Sequence, residues 1–215
     1  VPYEAYPAIT GNGHTSIQAA GGVYPLQVFG EHNLENIAGA GRICRLLGME
    51  EREFLDAMVS FPGADRRLER IAVKKDGILF RDFAHAPSKL RATVKAARQQ
   101  FQARKLIACF ELHTFSSLNR EYLRHYHDSL DPADHAAVFY HPDTFVHKRL
   151  PAFSMEEVKE AFGRHDLQVI HDPGQLFAWL KGLPLDQANV LLMSSGDFHG
   201  LDLNDLILKL GYEKI

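Results

Sequence analysis

Hydrophobic and polar positions change rhythm along the chain. Up to about residue 30 the segments are short, broken by the turn signal Gly11-Asn12-Gly13-His14-Thr15, and residues 23–30 (VYPLQVFG) alternate as a strand does. Leu34, Ile37, Ala38, Ile43, Leu46 and Leu47 then recur at helical spacing, with Asn33 placed as N-cap and Gly48 as the stop. A second helix is predicted over residues 50–60, ending at the turn FPGAD, residues 61–65. That Pro-Gly turn is the expected domain boundary, with residues 1–64 on one side and 65–215 on the other.

Beyond it the pattern is regular. Residues 77–83 (GILFRDF) read as a strand and 87–101 as a helix with Pro87 in its first turn. Residues 105–112 (KLIACFEL) read as a strand, followed by a helix over 118–129. A strand at 135–140 precedes a helix at 154–164, where Ser154 and Glu157 make a capping box. A strand at 167–170, a helix at 173–182, a strand at 188–195 and a helix at 201–211 complete the series. Several strands are continuous apolar runs, as required when both faces of a sheet are covered. The pattern predicts an α/β domain of three layers around a mainly parallel sheet.

In such sheets ligands bind beyond the carboxyl ends of the strands. Three polar clusters fall there: RDFAHAPS, ELHTFSS and SSGDFHG. Asp82 ends a buried strand, where a carboxylate can accept from ribose hydroxyls; the plainer reading is that Asp82 and His85 cap the next helix. Glycines in residues 194–200 would let backbone amides approach an anionic group. Asn33 and Asn36, three apart at a helix start, offer paired donors and acceptors that match an adenine edge, or else cap and solvate the helix. Arg66, Arg67 and Arg70 would grip a phosphate or form a solvated basic face.

Composition narrows the field. A net charge of −3 with 24% charged residues gives no reason to expect a polyanion as the main partner, so no nucleic acid is expected. No apolar run approaches the ~20 residues of a membrane span, and the N-terminus lacks signal-peptide form, so a cytoplasmic protein is expected. Cys44 and Cys109 sit in apolar runs and read as buried reduced thiols. The 12 histidines show no metal-ligand spacing, so no metal site is expected. There is no G-x-x-x-x-G-K-[ST]; the nearest candidate, GNGHTS, lacks the lysine, and nothing in the chain would cradle a triphosphate by itself.

GEHNLEN, then RRLE, then DFAHAP closing a strand, then a terminal SSGDFHGL together resemble the Mur ligase family, the ATP-dependent amide-forming enzymes of bacterial peptidoglycan synthesis. The resemblance implies a Rossmann-like C-terminal domain over residues 65–215, preceded by the end of a central ATP-binding domain over 1–64. A UDP-binding N-terminal domain and the P-loop half of the central domain would precede Val1, and the chain alone would be inactive. It further implies ATP and Mg²⁺ as cofactors, with the metal ligands mostly outside this chain. His32, Asn33 and Asn36 would meet the adenine, Arg67 the phosphates and Asp82 the ribose. His85 would act in the amino-substrate site, and Ser195, Asp197 and Phe198 would lie in the loop that meets that substrate. The turn at 61–65 would be the hinge of domain closure.

Two positions depart from the family pattern: Ala86 replaces the second His of D-[YF]-A-H-H-P, and Lys89 stands where an acidic residue is usual. The terminal loop resembles the murein peptide ligase branch, which joins L-alanyl-γ-D-glutamyl-meso-diaminopimelate to UDP-N-acetylmuramate. ELHTFSS is similar to the corresponding run of the alanine-adding branch. The expected partners are therefore UDP-N-acetylmuramate, an amino acid or peptide, and the remaining domains of the same enzyme. Other classes stay open: a stand-alone nucleotide-binding module, or a metal-dependent hydrolase with His and carboxylate groups converging in a pocket.

Overall fold

The computed structural model describes residues 4–215. Two compact units divide the chain: residues 1–65 with 95–103, and residues 66–94 with 104–215. Each is built around its own core.

The first unit opens with a three-stranded antiparallel sheet, β1 (Ala8–Gly11), β2 (His14–Ala19) and β3 (Gly22–Leu26). Gly11 pairs with His14 across a two-residue turn in which Asn12 and Gly13 both have positive φ, the geometry that matches strand twist in a tight hairpin. Helices α1 (Glu31–Leu46) and α2 (Glu51–Val59) follow. Ile17, Tyr24, Val28, Ile37, Phe54 and Leu55 form the shared core. Helix α1 starts before the expected cap. Gly30, at φ 91°, is the N-cap, and Asn33 lies inside the first turn, where its Nδ2 donates to the Phe29 carbonyl at 2.8 Å. Asn33 caps no amide, because that positive φ suits glycine and already turns the chain into the helix.

The second unit is a seven-stranded sheet. Its strands are β4 (Glu69–Lys74), β5 (Gly77–Asp82), β6 (Lys105–Glu111), β7 (His135–Phe139), β8 (Gln168–Ile170), β9 (Ala188–Met193) and β10 (Glu213–Lys214). The order is β10-β4-β5-β9-β6-β7-β8, parallel from β5 to β8 and antiparallel at the β4 and β10 edge. The predicted mainly parallel α/β fold is therefore observed. Every residue of β9 is buried, as its unbroken apolar run requires in the centre of a covered sheet.

The helices are α3 (Pro87–Gln100), α4 (Arg120–Leu123), α5 (Pro142–Lys148), α6 (Met155–Phe162), α7 (Pro173–Lys181) and α8 (Leu203–Lys209). One face of the sheet puts Leu79, Ile107, Cys109, Phe139, Val190 and Leu192 into a core with Leu176 and Leu180 of α7 and Leu206 and Ile207 of α8. On the alternate positions Phe110 packs with Tyr126 and with Phe162 of α6, ring centroids 5.2 and 6.2 Å away. Burial pushes the Tyr126 phenol well up from its ordinary range. The Ser154–Glu157 capping box is present with both of its bonds, at 3.1 and 2.8 Å.

Three expectations change. The helix predicted over 118–129 is one α turn followed by a 3₁₀ turn, Arg124–Tyr126. Asn119 caps it by accepting from the Tyr122 amide, Asp128 turns left-handed at φ 60°, and Arg164 takes the carbonyls of Leu130 and Ala133. Strand β4 lies in the segment read only as basic, because just Ala72 of its six residues is buried. Helix α5 begins at Pro142, after a His141 cap.

The start of β5 is held close to β9. Asn189 Oδ1 accepts from the Ile78 amide at 3.0 Å, and a Cβ on Gly77 would lie 2.4 Å from the Ala188 carbonyl oxygen. Gly77→Ala is expected to destabilise the fold by about 1–3 kcal/mol through forced strand separation. The check is a lowered urea midpoint at unchanged slope; an unchanged midpoint would refute the close approach.

Candidate functional site

Strands β5, β9 and β6 lie side by side, and their carboxyl ends are in register: Asp82 pairs with Met193, and Met193 with Phe110. From β6 the sheet extends outward through β7 and β8, while β4 and β10 extend it beyond β5. A crevice is expected where such a sheet changes direction. The cleft found there is lined by Arg66, Arg81, Asp82, Leu192, Ser194, Gly196, Asp197, Phe198, Leu201 and Leu203.

Asp82 is 4% exposed. A buried carboxylate is costly unless its oxygens are hydrogen-bonded, and here they are. Oδ2 accepts from the Leu68 amide at 2.8 Å; Oδ1 accepts from the Ala84 amide at 2.7 Å and the Thr93 hydroxyl at 3.3 Å. Asp82 caps no amide of α3. Instead it fixes two flanking loops.

The loop before β4 is strained, with Arg66 and Leu68 at φ 52° and 47°. Glu69 accepts from the Arg66 amide at 3.1 Å and pairs with Arg81 at 2.7 Å, while the Phe83 amide donates to the Arg66 carbonyl at 2.8 Å. These bonds leave Arg67 exposed, its guanidinium 5.5 Å from the centre of the Phe83 ring. An exposed guanidinium stacked on an aromatic face is pre-oriented for an anion.

His85 is half-buried. Its Nδ1 lies 3.0 Å from the Phe83 carbonyl oxygen, so that nitrogen carries the proton and Nε2 is left as an acceptor. Its own carbonyl accepts from Tyr126 at 2.6 Å. The ring is oriented by its neighbours and is not a helix cap.

At the end of β6, within the cluster ELHTFSS, the structure gives individual positions to Glu111 and His113, which the motifs do not name as site residues. Glu111 is 3% exposed and accepts from the Ser194 hydroxyl and from the Phe198 amide, the latter at 3.0 Å. His113 Nδ1 stands 3.6 Å from its second oxygen. The half-exposed imidazole thus stands close to a buried carboxylate, at a distance beyond a direct hydrogen bond. The available signal was a Glu ending an apolar strand with a His two residues on.

The loop after β9 holds the remaining expected residues. Ser195 Oγ is buried without a hydrogen-bond partner. Asp197 is exposed, and its Oδ1 accepts from the Gly200 amide at 3.0 Å, closing a turn. Phe198 is largely a core residue, its ring 5.6 Å from Phe139 in an edge contact, and it reaches the cleft from below. In the first unit, His32 is half-buried on α1, Asn33 keeps its Oδ1 and one N–H, and Asn36 is exposed.

Next to the end of β6, Phe115, Ser116, Asn119, Glu121, Tyr122, Arg124 and His125 line a wide, open surface groove. Lys148 sits 4.2 Å from the centre of the Phe115 ring. The groove is polar, and cations stand at its rim.

Fold and crevice together define an α/β domain with its polar groups gathered at the carboxyl edge of the sheet. Comparison with known proteins gives the family. A model described as Mur ligase, glutamate ligase domain, matches residues 66–196. The chain belongs to the Mur ligase family. It is 30% identical over 191 residues to a UDP-N-acetylmuramate–L-alanine ligase of Roseiflexus sp. (strain RS-1), covering 87% of this chain and 39% of that protein. An enzyme of the same name from Cutibacterium acnes is 38% identical over 114 residues, 53% of this chain and 24% of that one. The chain thus spans about two-fifths or less of the length of these relatives. Among solved structures, a UDP-N-acetylmuramate–alanine ligase from Thermotoga maritima superposes with a TM-score of 0.73 at 18% identity, over 97% of this chain and 46% of that one. A murein peptide ligase from Psychrobacter arcticus gives 0.62 at 20% identity, over 97% and 44%. At such identities these two report the fold alone.

Because Asp82 satisfies two buried amides, Asp82→Ala is expected to lower stability by about 1–3 kcal/mol, and Asp82→Asn, which keeps an acceptor, by less. Chemical denaturation of the three proteins measures this. An unchanged midpoint in Asp82→Ala would show that the loops are held by other contacts.

Proposed function

We propose that this chain is the amine-handling C-terminal part of an ATP-dependent ligase that forms an amide on the lactyl carboxylate of UDP-N-acetylmuramate. The observation that carries the reading is the presence of two imidazoles at one sheet edge: His85, oriented by the Phe83 carbonyl, and His113, 3.6 Å from Glu111. An amine enters such a reaction as an ammonium ion and must lose a proton before its lone pair can attack. An imidazole with a free acceptor nitrogen is suited to take it, and general-base assistance of this kind contributes about 10²–10⁴-fold.

ATP and Mg²⁺ enter with the family. The chain's own residues fit parts of the nucleotide: Asn36 and the spare groups of Asn33 are available for a base edge, and exposed Arg67 for phosphate. Asp82 fits less well, since it is largely buried and its oxygens already accept from the Leu68 and Ala84 amides and the Thr93 hydroxyl. Its part in this reading is to hold the loops that present Arg67 and His85. Bound Mg²⁺ would supply neutralisation of phosphate charge, and none of these residues is assigned to it. Without a P-loop the chain alone is proposed not to hydrolyse ATP.

The remaining domains of the enzyme are the expected neighbours. Ile43, Leu46 and Leu47, exposed at helical spacing on the first unit, support that part of the reading. Among the described residues no helix is long and apolar enough to cross a membrane, and a cytoplasmic site of action belongs to the proposal.

For the amine, the groove beside β6 supports the tripeptide L-alanyl-γ-D-glutamyl-meso-diaminopimelate. That groove is open surface rather than a closed pocket for one small amino acid, and Arg124 and Lys148 suit a ligand with several carboxylates. The alternative, L-alanine, is supported by the names of the similar relatives.

The test is a ligation assay on the whole polypeptide with UDP-N-acetylmuramate, ATP and Mg²⁺, offering tripeptide or L-alanine and following phosphate release and product mass. Turnover with neither would overturn the proposal. Arg124→Ala is expected to raise KM for the tripeptide about 10–100-fold, the loss of one charged hydrogen bond, with KM for ATP unchanged. Equal KM for the tripeptide would remove the groove from the site.

A further inference from the structure

Away from the crevice between β5 and β6, the structure brings together three side chains that no spacing rule connects. His141 precedes α5, Asp143 lies in its first turn, and His199 comes from the loop after β9. One ligand atom of each lies within 4.8 Å of the other two. His141 Nδ1 is 3.6 Å from an Asp143 oxygen, and the His141 and His199 rings stack at 3.4 Å with 5° between their planes. We propose that these residues form a binding site for a single divalent transition cation, with zinc as the reference ion and solvent completing the coordination.

Spacing and chemistry agree on this class. Two ligands each about 2.1 Å from a tetrahedral zinc lie roughly 3.4 Å apart, close to the His141–Asp143 separation. Two imidazoles and one carboxylate suit zinc, nickel or copper, whereas magnesium and calcium take oxygen ligands. Parallel rings hold their in-plane lone pairs side by side, so a modest rotation of exposed His199 makes them converge. At His141 the lone pair that a cation would use accepts the Asp143 amide at 3.2 Å, a long bond that is weak beside a metal–nitrogen bond.

The backbone carrying the three ligands is already fixed. Pro142 restricts the turn between His141 and Asp143. Phe145 of α5 packs against Tyr140, ring centroids 5.4 Å apart. Next to His199, buried Phe198 meets Phe139 of β7 and donates its amide to Glu111. Binding therefore needs side-chain adjustment and little backbone ordering, the condition under which a small site holds a metal. A bound cation would tie the loop carrying Ser195 and Asp197 to the end of β7.

The test is isothermal titration of ZnCl₂ into chelator-treated protein free of any histidine tag, near neutral pH, with thermal melting in parallel. The expected result is one zinc per chain, a raised Tm, and resistance to excess Mg²⁺. His199→Ala and Asp143→Asn, both at exposed positions, should each weaken zinc binding by about tenfold or more and abolish the Tm rise. Far-UV circular dichroism establishes that the variants are folded. Absence of saturable binding overturns the site, as does displacement by Mg²⁺. Unchanged affinity in both variants also overturns it, by assigning the zinc to other histidines.

Discussion

Ser194 links Asp82 and Glu111, whose buried carboxylates the functional edge of the sheet depends on, through the backbone of the first and the side chain of the second. Its amide donates to the Asp82 carbonyl at 2.9 Å, and its hydroxyl donates to Glu111. Neither carboxylate is tolerable inside a protein without hydrogen-bond donors, and the donors come from loops: Leu68 and Ala84 on one side, Phe198 on the other. The loops thereby acquire single conformations that their sequences would not otherwise prefer. Arg66, Leu68, Phe198 and His199 all sit at positive φ, which for side-chain-bearing residues persists only when the surroundings over-determine it. The crevice is thus built from strain that two buried acids hold in place.

This explains what the sequence did and did not make legible. The parallel core was readable because burial on both faces leaves an unbroken apolar run, as in ANVLLM of β9 and LIACF within β6. Capping chemistry was readable at Ser154 because a capping box is local. Strand β4 was not, since a peripheral strand with one buried residue carries no apolar signature. The misplacement of Asn33 had a similar cause: a glycine at positive φ can begin a helix without a side-chain cap, and only the backbone reveals it.

Among the site residues, position was legible and environment was not. Asp82 and His85 do lie at the carboxyl edge, yet a sequence cannot say whether a strand-end carboxylate faces a ligand or its own backbone. That depends on where the segment at residues 66–68 folds back, and therefore on Glu69 and Arg81. Glu111, at the head of the cluster ELHTFSS, was placed at the edge but its bonding was not legible, because its donors are 83 and 87 residues away along the chain. His141 and His199, 58 residues apart in number, meet only because β7 and the loop after β9 end at the same edge.

Fold and chemistry are therefore specified by different parts of the sequence. Solved structures with 16–20% identity reproduce the architecture, so the fold survives replacement of most side chains provided the apolar pattern remains. The chemistry has narrower requirements. At this edge the two imidazoles meet different neighbours. His85 is oriented by a hydrogen bond from Nδ1 to the Phe83 carbonyl. His113 lies 3.6 Å from the Glu111 carboxylate, which the Ser194 hydroxyl and the Phe198 amide hold in place. Each placement depends on groups drawn from separate loops, so a change in one loop can undo it while the apolar pattern, and with it the fold, stays intact.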